Sequence, residues 1–154
     1  MTDFGHLNSY DISQESTAEF TLHMIEQDPE PVLIVAPANR SNRPYFNALL
    51  NRSKKYARAL AAGNITAKLA DDVRDVHKEL FPKFVLRGWK HVKDAQGNDV
   101  EFTEAHCEQF LQALPDWIFG ELRDFCEQPL NFVEGPLADP DEVSENLPSS
   151  SGGS

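Results

Sequence analysis

Residues 87–133 read RGWKHVKDAQGNDVEFTEAHCEQFLQALPDWIFGELRDFCEQPLNFV, and this stretch decides the fold. It opens on a tryptophan-bearing apolar edge, crosses a polar turn and ends in two short helical patterns parted by Pro115. Within the extended loop 92–102, Gly97-Asn98 supplies the positive φ angles that a tight turn needs. Thr103 then caps a helix bearing Cys107, Phe110, Leu111 and Leu114 at helical spacing. His106 occupies the position where Glu or Gln would complete a capping box. A last helix over 116–126 carries Ile118, Phe119, Leu122 and Phe125, and Leu130, Phe132 and Val133 fold back onto it. No residues in this stretch are arranged for catalysis, which moves the expectation from an enzyme toward a protein that binds other proteins.

Upstream, Phe20, Leu22 and Met24 alternate with Thr21 and His23, the period of a half-buried strand. Asp28-Pro29-Glu30-Pro31 breaks that run, and the β-branched run Val32-Leu33-Ile34-Val35 predicts a buried strand able to pair with the first as a hairpin. A helix over 44–62 follows, with Asn42 or Arg43 as cap and Pro44 in the first turn. Its apolar stripe is Phe46, Leu49, Leu50, Tyr56, Ala57 and Leu60, and Gly63-Asn64 stops it. Thr66 caps a second helix striped by Leu69, Val73, Val76 and Leu80, with Asp71 and Asp72 placed early for the helix dipole. Phe81-Pro82 is expected to end or kink it. Residues 83–91 suit either another helical turn or the approach to a strand.

The chain has 154 residues and a formal net charge of −11, unevenly laid out. Residues 1–39 hold seven acids and no Lys or Arg; residues 40–93 hold thirteen bases and four acids; residues 94–154 hold fourteen acids and one base. A basic middle thus lies between acidic ends, which either neutralise it, within the fold or between subunits, or leave it to attract an acidic partner. The helix over 44–62 carries Arg52, Lys54, Lys55 and Arg58 and no acid: a solvated face or a docking face. From Glu134 onward there are five acids, no base and many Pro, Ser and Gly, a composition that cannot offset its ordering entropy. The terminal SSSGGS is either native or a remnant of cloning. No apolar run approaches the roughly 20 residues of a membrane span, and the start lacks the pattern of a signal peptide. A soluble, cytoplasmic protein is expected.

The five histidines and two cysteines contain one close pair, His106-Cys107, whose side chains diverge on a helix, so no metal ligation is expected. Cys107 lies on the apolar stripe with Phe110 and Leu114, which favours a core thiol over a nucleophile. Asp71-Asp72 and the Asp139/Asp141/Glu142 group sit where nothing raises a carboxyl pKa for acid–base work. Isolated glycines build no phosphate loop. Residues 40–58, with Tyr45, Asn47, Asn51 and Tyr56, are the one candidate for nucleic acid, but no known module frames them and the flanking acids oppose it.

One resemblance stands out. Val85-Leu86-Arg87-Gly88-Trp89-Lys90-His91-Val92-Lys93-Asp94, then Gly97, then Val100-Glu101-Phe102-Thr103 resembles the tail assembly chaperones of long-tailed, siphovirus-like bacteriophages. Leu111, Leu114, Pro115, Trp117 and Leu122 suit the helix–break–helix that follows in that family, and Pro44-Tyr45-Phe46-Asn47-Ala48-Leu49-Leu50 looks like a subset of it. The resemblance spans residues 32–133 and is weakest over the strands. It implies a non-enzymatic protein without cofactor that binds the tape measure protein, keeps its apolar helices soluble, helps recruit tail tube subunits and is absent from the finished virion. Many such proteins also have a longer, frameshifted form. The alternatives are a virion structural protein, such as a tail-completion or neck subunit, and a basic-helix nucleic-acid binder.

The expected fold is α+β, mainly α: a small helical domain with a short N-terminal β-hairpin and a disordered acidic tail. Residues 1–15 are read as flexible, 16–133 as one folded domain (strands over 16–36, helical over 44–133) and 134–154 as the tail. Tyr45, Phe46, Trp89, Phe102 and Trp117 are candidate fold or contact anchors, and Arg52, Lys55 and Arg58 candidate polar docking residues. Self-association is open.

Overall fold

The computed structural model of the protein describes residues 2–133 and the short segments 149–150 and 152–153. The fold is α+β and mainly α. After a 3-10 turn at Gly5–Tyr10 come strands β1 (Ala18–Thr21) and β2 (Val32–Val35). Helix α1 (Arg43–Ser53), a 3-10 turn (Lys54–Tyr56), α2 (Ala57–Ala61) and α3 (Ala67–Phe84) follow. Strand β3 (Leu86–Lys90), helices α4 (Glu104–Ala113) and α5 (Asp116–Glu127) and a 3-10 turn at Pro129–Phe132 complete the domain. Ser149–Ser150 pairs with Gly152–Gly153. The expected acidic tail falls mostly outside the described residues.

The hairpin of β1 and β2 forms as the alternation requires, with Phe20 opposite Leu33. A third strand, β3, pairs antiparallel with the other edge of β2 and places Trp89 opposite Leu33. Residues directly opposite in a sheet share a face, so Phe20, Leu33 and Trp89 form one row. Helices α4 and α5 cover it: Phe110 packs 5.5 Å from Trp89 and Phe125 lies 5.0 Å from Phe20, centroid to centroid. The region over 44–133 is therefore not purely helical. Residues 83–91 combine both expectations, a last turn of α3 followed by a strand.

Pro82 does not end the helix; α3 runs on to Phe84. Its missing N–H costs one bond to the carbonyl four residues back. The gain is enclosure of Phe81, Val85 and Pro82 itself, all buried. At the other end of α3 the Thr66 hydroxyl accepts from the Leu69 amide at 3.1 Å. Asp71 and Asp72 lie beyond the first turn, so dipole stabilisation is not their role.

Asn42 ties three elements together. It is 1% exposed; its Nδ2 donates to the carbonyls of Pro37 and Phe84, each at 2.9 Å, and its Oδ1 accepts from the Tyr45 amide at the start of α1. One side chain thereby joins the exit of β2, the start of α1 and the end of α3. Between α4 and α5, Pro115 supplies the extended residue from which α5 starts. In the loop after β3, His91 at its start (φ +61°) and Gly97 in its turn (φ +85°) adopt positive φ, while Asn98 does not.

The acidic ends neutralise part of the basic middle within the fold. Glu19 on β1 meets Lys90 on β3 at 2.9 Å. Asp116, opening α5, holds Arg74 at 2.5 Å and faces the buried Lys78 at 3.6 Å.

Candidate docking surface

Helix α1 turns Tyr45 into the core, where its hydroxyl lies 2.9 Å from His77 Nδ1 of α3. The opposite side of α1 presents Asn47, Leu50 and Asn51 to solvent. Arg52 reaches back to form an ion pair with Glu79 of α3. Beyond it the sequence Ser53-Lys54-Lys55 offers nothing apolar to point inward, and the helix loosens into a 3-10 turn. The following α2 has no buried residue at all. Gly63, at φ +74°, stops it, and Ile65 leads exposed into the cap of α3.

Residues 50–65 are thus a ridge held to the rest of the fold by Tyr56, half-buried against the core, and by the Arg52–Glu79 pair. Leu50, Leu60 and Ile65 are 53%, 45% and 67% exposed, unusual for three aliphatic residues so close in one segment. Lys54, Lys55 and Arg58 stand among them without an ion pair among the described residues. Lys55 Nζ rests 5.1 Å from the Tyr56 ring centroid. At the base of the ridge, Phe46 and Leu50 join Arg40, Arg43, Asn47 and Asp11 around an open cleft of about 550 Å³.

A second exposed feature is the outer stripe of α5. Trp117 is 61% exposed. Glu121 and Asp124 follow it at helical spacing, are exposed, and have no cationic partner among the described residues.

The structure therefore divides the residues singled out from sequence. Phe46, Lys55 and Arg58 lie on the ridge or its base, and Trp117 stands alone on α5. Tyr45 is enclosed and cannot be a contact anchor. Trp89 and Phe102 pack edge to face at 5.0 Å, and the indole N–H donates to the Val100 carbonyl at 2.8 Å, so they hold the loop after β3 against α4. Arg52 is tied to Glu79 and is a poor free docking cation. The apolar stripe predicted Leu50 and Leu60 on the inner side; both face out. The signal lies in the chain, since Leu49 and Leu50 are about 100° apart on a helix and residues 51–55 contain no apolar residue to continue an inner face.

Both thiols and one of the five imidazoles, His77, are enclosed. Burial, helped by Glu108 and Glu104, pushes the Cys107 thiol up to about 12. Cys126 is raised too, by burial and then by Glu127. Burial, with Arg123 adding to it, pushes His77 down to about 4. Among the described residues no group of His, Cys, Asp and Glu is placed to hold a metal ion, and no helix is long and apolar enough to cross a membrane.

No curated protein and no solved structure matches the chain. A model of the YdaY prophage protein family matches residues 40–139, which takes in the ridge, all five helices and β3. Because that match covers more than half of the chain, the protein belongs to the YdaY prophage protein family and is phage-related.

Proposed function

We propose that this protein is a non-enzymatic tail assembly chaperone. It binds the tape measure protein through the ridge over 50–65 and helps recruit tail tube subunits in the host cytoplasm, without entering the finished virion. The phage family membership and the resemblance of residues 32–133 to such chaperones support the reading. The observation that carries it is the ridge: exposed Leu50, Leu60 and Ile65 interleaved with Lys54, Lys55 and Arg58 on a segment with almost no packing of its own. A tape measure protein is a long, amphipathic helical client. Apolar side chains on the ridge take its apolar face, and the cations select segments with neighbouring acids. Many weak contacts along one polymer add up through avidity. The enclosed thiols and His77 suit a protein that works by contact rather than by bond making.

The test is co-expression with the longest coiled-coil-rich protein encoded by the same phage genome, followed by pull-down. The client should become soluble and co-purify. Lys55→Glu with Arg58→Glu should weaken co-purification by about tenfold or more without lowering the melting temperature, since both side chains are exposed. An insoluble client, or recovery of the chain in purified particles at ring stoichiometry, would overturn the chaperone reading in favour of a neck or tail-completion subunit.

A further inference from the structure

The ridge and the outer stripe of α5 complement each other. The ridge offers three cations, unpaired among the described residues, around exposed aliphatic side chains. The stripe offers an exposed indole, Trp117, followed one and two turns on by Glu121 and Asp124, acids that likewise lack a partner among the described residues. An indole buries about 150–250 Å² when covered, and its face attracts cations such as Arg58 and Lys55. The two surfaces lie on different elements, and no ion pair joins them within one copy among the described residues.

We infer that the α5 stripe of one copy docks on the ridge of a second copy, giving a head-to-tail self-association. Trp117 sits among Leu50, Leu60 and Ile65, and Glu121 and Asp124 face Lys54, Lys55 and Arg58. Such a contact uses two different surfaces, so a joined pair keeps one free ridge and one free stripe, and the assembly grows as an open chain or closes into a ring. Two copies at −11 each repel at long range, but at roughly 0.15 M salt the Debye length is about 8 Å, so the local match decides. A second copy and the tape measure client take the same ridge in turn, each displacing the other, but the contact between copies requires only this chain, so its test is independent of the client.

Sedimentation of the pure full-length chain at about 0.15 M salt tests it, with two variants altered only at exposed positions. The ridge variant is Leu50→Ser, Lys55→Ser, Arg58→Ser; the stripe variant is Trp117→Ser, Glu121→Gln, Asp124→Asn. Wild-type mass should rise with concentration beyond the dimer and fall back in about 1 M salt. Each variant alone should associate more than about tenfold more weakly than wild type. An equimolar mixture of the two should recover one junction per pair and stop at a heterodimer. A wild-type chain that stays monomeric, a variant that assembles like wild type, or a mixture that fails to pair or grows past the dimer would each overturn the inference. Unchanged circular dichroism checks that both variants fold, and Trp117→Ser alone provides a milder variant that should weaken association in the same direction.

Discussion

Asn42 shows how much one polar side chain can organise. Buried amide groups are stable only when paired, and this one pairs with three backbone groups from three elements. Asn42→Ala should lower stability by about 3 kcal/mol, because it removes a cap and leaves two carbonyls under-satisfied. A urea midpoint unchanged to within a few tenths of a kcal/mol would contradict the role assigned to it. The cap itself is legible in the sequence, as Asn is favoured ahead of Pro in a first helical turn. The two further bonds are not, because they depend on where residues 37 and 84 end up. Lys78 makes a related point. Its side chain is 5% exposed, and its ammonium lies 3.4 Å from the Leu114 carbonyl and 5.5 Å from the Phe119 ring centroid. Removing one partner by Asp116→Ala should cost roughly 1–3 kcal/mol, whereas Lys78→Met should be neutral or stabilising, since an apolar isostere has no charge to desolvate. Thermal melts of the two variants should therefore move in different directions or by clearly different amounts.

At the scale of elements, the contrast between α1 and α2 is a matter of inward contact. Helix α1 is anchored by Tyr45 and by the Arg52–Glu79 pair, while α2, five residues long, has no buried residue. A helix that short is not stable on its own propensity. Amide hydrogens over 57–63 should exchange orders of magnitude faster than those over 76–84 of α3, and comparable protection in the free chain would mean that something covers the ridge. The turn after β3 depends on a different constraint. Gly97 has φ +85° with open space around a would-be Cβ, so Gly97→Ala should cost about 1–2 kcal/mol through backbone strain alone. Asn98, which the dipeptide suggested as an equal partner in that turn, should tolerate Ala better.

For the whole molecule, His77 sets a pH limit. The unfolded imidazole takes up its proton near its ordinary value of 6.5, but the folded one resists until about 4. Between those values the unfolded chain binds more protons, so stability falls as pH falls from about 6.5 to about 4 and levels off below. The full loss is on the order of 3 kcal/mol. His77→Gln, which keeps a hydrogen-bonding partner for the Tyr45 hydroxyl, should flatten this part of the stability–pH curve. An equal slope in wild type and variant, measured by urea unfolding at pH 7 and 4.5, would assign the pH dependence to other groups.

The hairpin, the caps at Asn42, Thr66 and Thr103, the break at Pro115 and the two helices around it were determined by local sequence, whereas the single helix expected over 44–62 is divided by a 3-10 turn at Lys54–Tyr56. Period, capping chemistry and proline geometry act over a few residues and need no distant partner. Tertiary structure alone decided three other matters. It placed β3 against β2, because strand pairing across fifty intervening residues leaves no local trace. It carried α3 through Pro82, because burial of Phe81 and Val85 outweighed one lost hydrogen bond. It turned Leu50 and Leu60 outward and Tyr45 and Trp89 inward, because which side of a helix or strand is buried depends on what packs against it. The candidate docking residues read from sequence were mixed for that reason: residue type marks the side chains able to make a contact, and only the packed fold leaves some of them free to do so.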